Sequence, residues 1–131
     1  MKPETKSWLD QAKEHYQDAL YLFEGSRYSM SVYCAHQTLE KLIKAVIVEC
    51  TNQVPPKSHK LDTLASLSTL KFDSVTLEDL AEITRHFWRV RYPDFQRYVY
   101  TTKDKAEPTI NKMKEIYSWI LKQLEPPSIS T

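Results

Sequence analysis

Glycine is almost missing from this sequence: one residue, Gly25, in 131. That scarcity excludes the glycine-rich phosphate loops of P-loop and dinucleotide-binding folds, and it leaves little for the tight turns of β-hairpins. Long apolar runs are also lacking. The longest purely aliphatic stretch is Ala45-Val-Ile-Val48, and Met1-Lys-Pro-Glu-Thr-Lys6 has no apolar core, so neither a membrane span nor a secretory leader is expected. Cysteine is scarce too. Cys34 and Cys50 fall on one expected helix, ~24 Å apart and far beyond disulfide reach, which predicts two reduced thiols in a cytoplasmic protein. Nor does charge of one sign dominate: 18 basic against 17 acidic residues leave +1. Global charge therefore recruits neither nucleic acid nor membrane, and any anionic ligand has to meet a local patch. What remains is an ordinary globular composition, 41% apolar and 27% charged. A chain of this length suits one domain, expected over residues 1–125, with 126–131 as a disordered tail.

Helical periodicity runs through most of the chain. Trp8, Ala12, Tyr16, Ala19 and Phe23 recur at three- and four-residue steps, predicting a helix from about Ser7 to Glu24, with Gly25 as its left-handed cap and Ser26 capping the next helix. A second helix is predicted from about Tyr28 to Cys50, on Val32, Ala35, Leu39, Leu42, Ile43, Val46 and Ile47. It must end in Thr51-Asn-Gln-Val-Pro-Pro56, because proline cannot continue a helix. Leu61, Leu64, Leu67 and Leu70 predict a short third helix. A fourth is expected from near Thr76, which with Asp79 resembles a capping box, to just before Pro93. The fifth starts near Asp104 and Glu107 and carries Ile110, Met113, Ile116, Ile120 and Leu124. With no strand alternation and short connections, the fold class is all-α: an up-down antiparallel bundle of about five helices.

Hydrolase and metal templates fail. The histidines at 15, 36, 59 and 86 are scattered, with no His-Glu-x-x-His or Cys-x-x-Cys spacing, so neither metal nor cofactor is expected. His36 and Glu40, one turn apart, read as a polar pair on the bundle surface. Gln37, Glu40, Lys41 and Lys44 form a polar stripe on the second helix, either a solvated face with one ion pair or a support for a binding site. Charge concentrates between Arg85 and Lys105. Arg85, Arg89, Arg91, Arg97, Lys103 and Lys105 oppose only Asp94 and Asp104, a local balance of +4 (six less two). The arginines offer forked donors to phosphate, and Phe87, Trp88, Tyr92, Phe95, Tyr98 and Tyr100 between them offer rings for a base to stack on. The alternative is structural: cations in the last turn of a helix are stabilised by its dipole without any ligand.

Several short runs, taken in order, resemble one family. Trp8-Leu-x-Gln-Ala12, the Gln37 to Ala45 stripe with Glu40-Lys-Leu-Ile-Lys44, Ser58-His-Lys-Leu61, Arg91-Tyr-Pro-Asp94 and Tyr100-Thr-Thr102 resemble the HEPN domain, over about residues 5–124. The resemblance implies a helical bundle, usually a homodimer, that binds nucleotide or RNA and is often encoded beside a minimal nucleotidyltransferase as a toxin–antitoxin pair. It places nucleotide or phosphate binding on Arg89, Arg91, Tyr92, Asp94, Arg97 and Tyr98, and makes Tyr98 or Tyr100 the residue that such a partner would modify. Many members are metal-independent ribonucleases carrying Arg-x(4–6)-His after the fourth helix. Counting from Arg91, the histidine belongs at positions 96–98, which hold Gln96, Arg97 and Tyr98, so weak or absent ribonuclease activity is expected. A non-catalytic helical adaptor for an acidic protein is the other reading of the same arginines.

Overall fold

A 24-residue helix that buries nearly its whole length organises the molecule. In this computed structural model the structure describes residues 1–92 and 100–124. Among them the chain forms α1 (Pro3–Glu24), α2 (Tyr28–Thr51), α3 (Leu61–Leu67), α4 (Ser74–Arg91) and α5 (Lys103–Leu124), with no strand. This is the all-α up-down bundle that the periodicity predicts. α2 touches each of the other four helices, and Leu39, Leu42, Ile43 and Val46 on it are fully buried. Its alanines at 35 and 45 are buried too and keep its neighbours close.

α1 lies antiparallel along α2 and is pinned at both ends. Near the start of α1, Lys2 Nζ donates to the Val48 and Glu49 carbonyls at 2.9 and 3.1 Å, supplying donors to the carboxyl-terminal turn of α2. At the other end Ser31 Oγ donates to the Ala19 carbonyl at 2.8 Å. α5 closes the bundle against α2, with Tyr117 stacked on Tyr16 of α1 at 3.9 Å between centroids. Lys112 of α5 bonds Asp79 and Glu82 of α4 at 3.2 and 3.0 Å. Both cysteines are free, Cys34 buried and Cys50 exposed.

Several boundaries differ from expectation, each for a local reason. α1 begins at Pro3, whose locked φ suits the first helical position. Gly25 is not the left-handed cap: its φ is −84°, and the neighbouring Ser26 takes φ 63° instead. The Arg27 and Ser26 amides bond the Leu22 and Phe23 carbonyls, a Schellman ending set one residue later than the glycine suggests. α2 starts after Arg27 and runs through Thr51, where Asn52 takes the left-handed conformation. α3 stops at Leu67 because Ser68 turns its hydroxyl onto the Ala65 carbonyl and Thr69 is left-handed at φ 69°. Asp73 caps α4 by accepting from the Thr76 amide at 2.7 Å, so the capping box on Thr76 does not form. Pro108 is the sixth residue of α5 and lies within the helix.

The displaced cap has a measurable consequence. A Cβ at Gly25 would meet only the Tyr21 and Leu22 carbonyl oxygens, at 3.5 and 3.8 Å. Gly25→Ala is therefore expected to raise stability by about 0.4–1 kcal/mol, through a less flexible unfolded chain. Ser26→Gly, by relieving the left-handed serine, is expected to be neutral or to stabilise by about 0.5 kcal/mol. Urea denaturation checks both; a clear loss of stability in Gly25→Ala would return the left-handed role to the glycine.

Candidate functional site

The polar stripe of α2 points inward. Glu40 is 1% exposed and Lys44 6%, while His36 is fully buried, so neither a solvated face nor a surface His36–Glu40 pair exists. An isolated carboxylate in such a place is heavily penalised, and Glu40 survives because both its oxygens are met by donors. Oε2 accepts from Lys44 at 3.0 Å and lies 3.5 Å from Lys41. Oε1 accepts from His59 Nδ1 at 2.6 Å, a residue 19 positions along the chain on the segment before α3. Burial alone would raise the Glu40 carboxyl, but the bonds from His59 and Lys44 overrule it and hold it below its ordinary value.

His36 ties the same segment from a second direction. Its Nε2 donates to the His59 carbonyl at 2.8 Å, and its ring stacks on Phe87 of α4 at 3.9 Å. Burial pushes its pKa down to about 4, so the ring is neutral and its 4.0 Å approach to Glu40 is no ion pair. Gln37 donates to the Tyr33 hydroxyl, and Trp8 of α1 lies 5.4 and 5.5 Å from the Lys41 and Lys44 ammonium groups. Gln37, Glu40, Lys41 and Lys44 thus form a buried or half-buried support, with His36 and His59 as members that sequence reading missed. The one sequence sign of His59 is its place in the Ser58-His-Lys-Leu61 run.

The last turns of α4 carry the open chemistry. Residues 85, 88, 89 and 92 share one face at helical spacing, and Arg85, Trp88, Arg89 and Tyr92 line a groove of about 370 Å³. Trp88 and Tyr92 stack at 5.5 Å with planes 10° apart. On the adjacent face, the Arg91 guanidinium sits 5.7 Å from the centroids of Phe87 and Trp88 and 5.9 Å from Tyr92. None of the three arginines is ion-paired among the described residues. A groove of similar volume lies between the start of α1 and the chain after α2, but its one ionisable lining residue is Glu4, so it lacks the donors an anion needs.

Behind this face is a clasp. Tyr100 is buried and its hydroxyl donates to His86 Nδ1, while His86 Nε2 lies 3.5 Å from Glu82, itself bonded to Lys112. Arg89 also approaches His86. Burial lowers the His86 pKa and raises that of Tyr100, which keeps both neutral. Of the expected site residues, Arg89, Arg91 and Tyr92 gather at the end of α4, and Tyr100 lies behind them with its hydroxyl engaged. Asp94, Arg97 and Tyr98, together with Gln96, lie outside the described residues.

The neutral, buried His36 makes stability depend on pH. The unfolded imidazole binds a proton below about pH 6.5, whereas the buried ring refuses it until about pH 4. Between those values the unfolded state holds more protons, so stability falls as pH drops. From pH 7 to pH 5 this one group is expected to remove about 2 kcal/mol. Chemical denaturation of His36→Gln at both pH values checks it: the variant should show a drop smaller by that amount. An unchanged slope would mean that His36 is not the source.

Comparison with known proteins agrees with this architecture. The chain matches the HEPN domain model over residues 5–124. No curated protein matches it. The crystal structure of TT1696 from Thermus thermophilus superposes with a TM-score of 0.80 at 18% identity, covering 93% of this chain and 99% of that one. The structure of ST0689, an archaeal HEPN homologue, superposes with a TM-score of 0.73 at 21% identity, covering 95% of this chain and 100% of that one. At such identities the structural likeness speaks for the fold alone, but the family match spans nearly the whole bundle, and the chain belongs to the HEPN domain family.

Proposed function

We propose that this chain is a nucleotide- or RNA-binding module whose phosphate site is the carboxyl-terminal end of α4. The groove of Arg85, Trp88, Arg89 and Tyr92 carries the reading: guanidinium groups free of ion pairs among the described residues stand beside a stacked ring pair. Forked donors suit phosphate oxygens, and an exposed Tyr92 ring gives a base a face to cover. The helix dipole alone accounts for cations at this end of α4 but not for the stacked rings that line the groove beside them. Arg97, Asp94 and Tyr98 join the proposed site from their place in the sequence.

The family resemblance extends the proposal to a homodimer acting with a minimal nucleotidyltransferase, in a toxin–antitoxin-like pair. Tyr98 is the choice for modification by such a partner, since the Tyr100 hydroxyl is already engaged by His86. Catalysis of RNA cleavage is not part of the proposal. The nearest histidine on α4, His86, is held between Glu82 and Tyr100 and precedes Arg91 in the chain.

Binding of a short RNA and of ATP, measured on the same preparations at two salt concentrations, tests the proposal. Arg89→Ala and Arg91→Ala should each weaken affinity about ten- to a hundredfold, and the loss should shrink as salt rises. Tyr92→Ala should cost RNA affinity by about five- to a hundredfold through lost stacking. Melting temperatures should barely move. If stability falls while affinity holds, the arginines serve the helix end; if an acidic protein binds and nucleotides do not, the chain is an adaptor. RNA incubated with the protein in EDTA should stay intact, and robust cleavage lost in Arg91→Ala would reinstate an enzyme.

A further inference from the structure

Beside the arginines of α4 stands one imidazole whose two nitrogens face different worlds. His59 Nδ1 lies 2.6 Å from the buried Glu40 Oε1, while over a third of the side chain is exposed. The lysines are spent on the other oxygen: Lys44 and Lys41 both lie at Oε2, so the hydrogen bond to Oε1 comes from His59. A buried oxyanion needs that donor, and the need keeps the hydrogen on Nδ1 whether the ring is neutral or charged. The atom left over is Nε2, with no partner among the described residues. It presents a bare lone pair when the ring is neutral and an N–H when the ring is charged.

The position of this ring is what gives it a task. It lies 5.3 Å from Phe87 and 6.2 Å from Trp88, the two rings over which the Arg91 guanidinium sits at 5.7 Å. His36 holds the His59 carbonyl at 2.8 Å, so backbone and side chain are fixed from the same helix. We propose that His59 is a protonatable phosphate ligand of the α4 corner, positioned by Glu40, and that it tightens the grip on a phosphodiester as pH falls. This rests on the reading of that corner as a phosphate site. With the ring neutral, the Nε2 lone pair faces the phosphate oxygens and repels them. With the ring charged, the same atom donates a charge-assisted hydrogen bond.

The groups facing His59 decide when the change occurs. From α2, Glu40 favours the charged ring, while Lys44 and Lys41 oppose it, and His36 is kept neutral by its burial. From α4, Arg91 opposes it across the shared rings. Lys57 and Lys60 are the charged residues of its own segment. A bound phosphate adds an anion to this set, so ligand binding and proton uptake assist one another.

Calorimetric titration of the full chain with an oligouridylate bearing a 5′-hydroxyl tests this, since its phosphodiesters stay ionised and its bases do not titrate between about pH 5.5 and pH 8. The intact protein should bind about tenfold more tightly at the lower pH, with proton uptake on binding. His59→Gln should bring the ratio between the two pH values below about threefold. Arg91→Ala should weaken binding at both pH values. Long-range ¹H–¹⁵N spectra of the free protein at pH 8 should show the proton of His59 on Nδ1. A flat pH response, a response that survives in His59→Gln, or a proton on Nε2 would each overturn the role of His59. Binding indifferent to Arg89→Ala and Arg91→Ala, or no binding at all, would instead overturn the phosphate corner on which it rests.

Discussion

One carboxylate taken out of water sets the terms for much of this structure. Glu40 sits on the helix that every other helix covers, and a charge there is tolerable only if donors reach both oxygens. Lys44, one turn away, serves one of them from the same helix. For the other the chain bends back from its proline turn to deliver His59, and the neutral His36 secures the carbonyl of that residue. His36 in turn stacks on Phe87, which fixes α4 against α2. The same demand that makes the core expensive also places the arginine-bearing end of α4.

Much of the architecture was readable from the sequence because apolar spacing reports directly which face of a helix is buried. Leu39, Leu42, Ile43 and Val46 foretell α2, and Pro55 and Pro56 foretell its end. The polar residues were less legible. Glu40 and Lys44 read as a solvated pair because spacing shows that two side chains are neighbours, not whether a third helix lies above them. The bond from His59 spans 19 positions with no periodic relation to Glu40, so only tertiary structure reveals it. Gly25 misled for a different reason: the Schellman ending needs a left-handed residue at a set distance from the last helical bonds, and Ser26 occupies that place. Arg89, Arg91 and Tyr92 share the end of α4, since consecutive turns of one helix are governed by local geometry.

The electrostatics of α4 divide along its length. Its amino-terminal half is acidic and met by Lys112 of α5, through Asp79 and Glu82, which settles that charge inside the molecule. Its carboxyl-terminal half carries Arg85, Arg89 and Arg91 with no such settlement among the described residues. The chain as a whole is nearly neutral, so this separation within a single helix creates a directional field that net charge conceals. His86 and Tyr100, both neutral, stand between the two halves.

The short turn at residues 25–27 bears on how the chain finds its fold. α1 and α2 are joined by three residues and share the most extensive contact in the bundle, held at its two ends by Lys2 and Ser31. Closing so short a loop costs little chain entropy, whereas α5 must return to α2 across the whole of α3 and α4. Low contact order thus favours an early helical hairpin of α1 and α2, on which the later helices condense. In that order of events the Glu40 carboxylate stays hydrated until the segment bearing His59 arrives, so the ionic core is assembled after the apolar seam of α1 and α2 has already chosen the register.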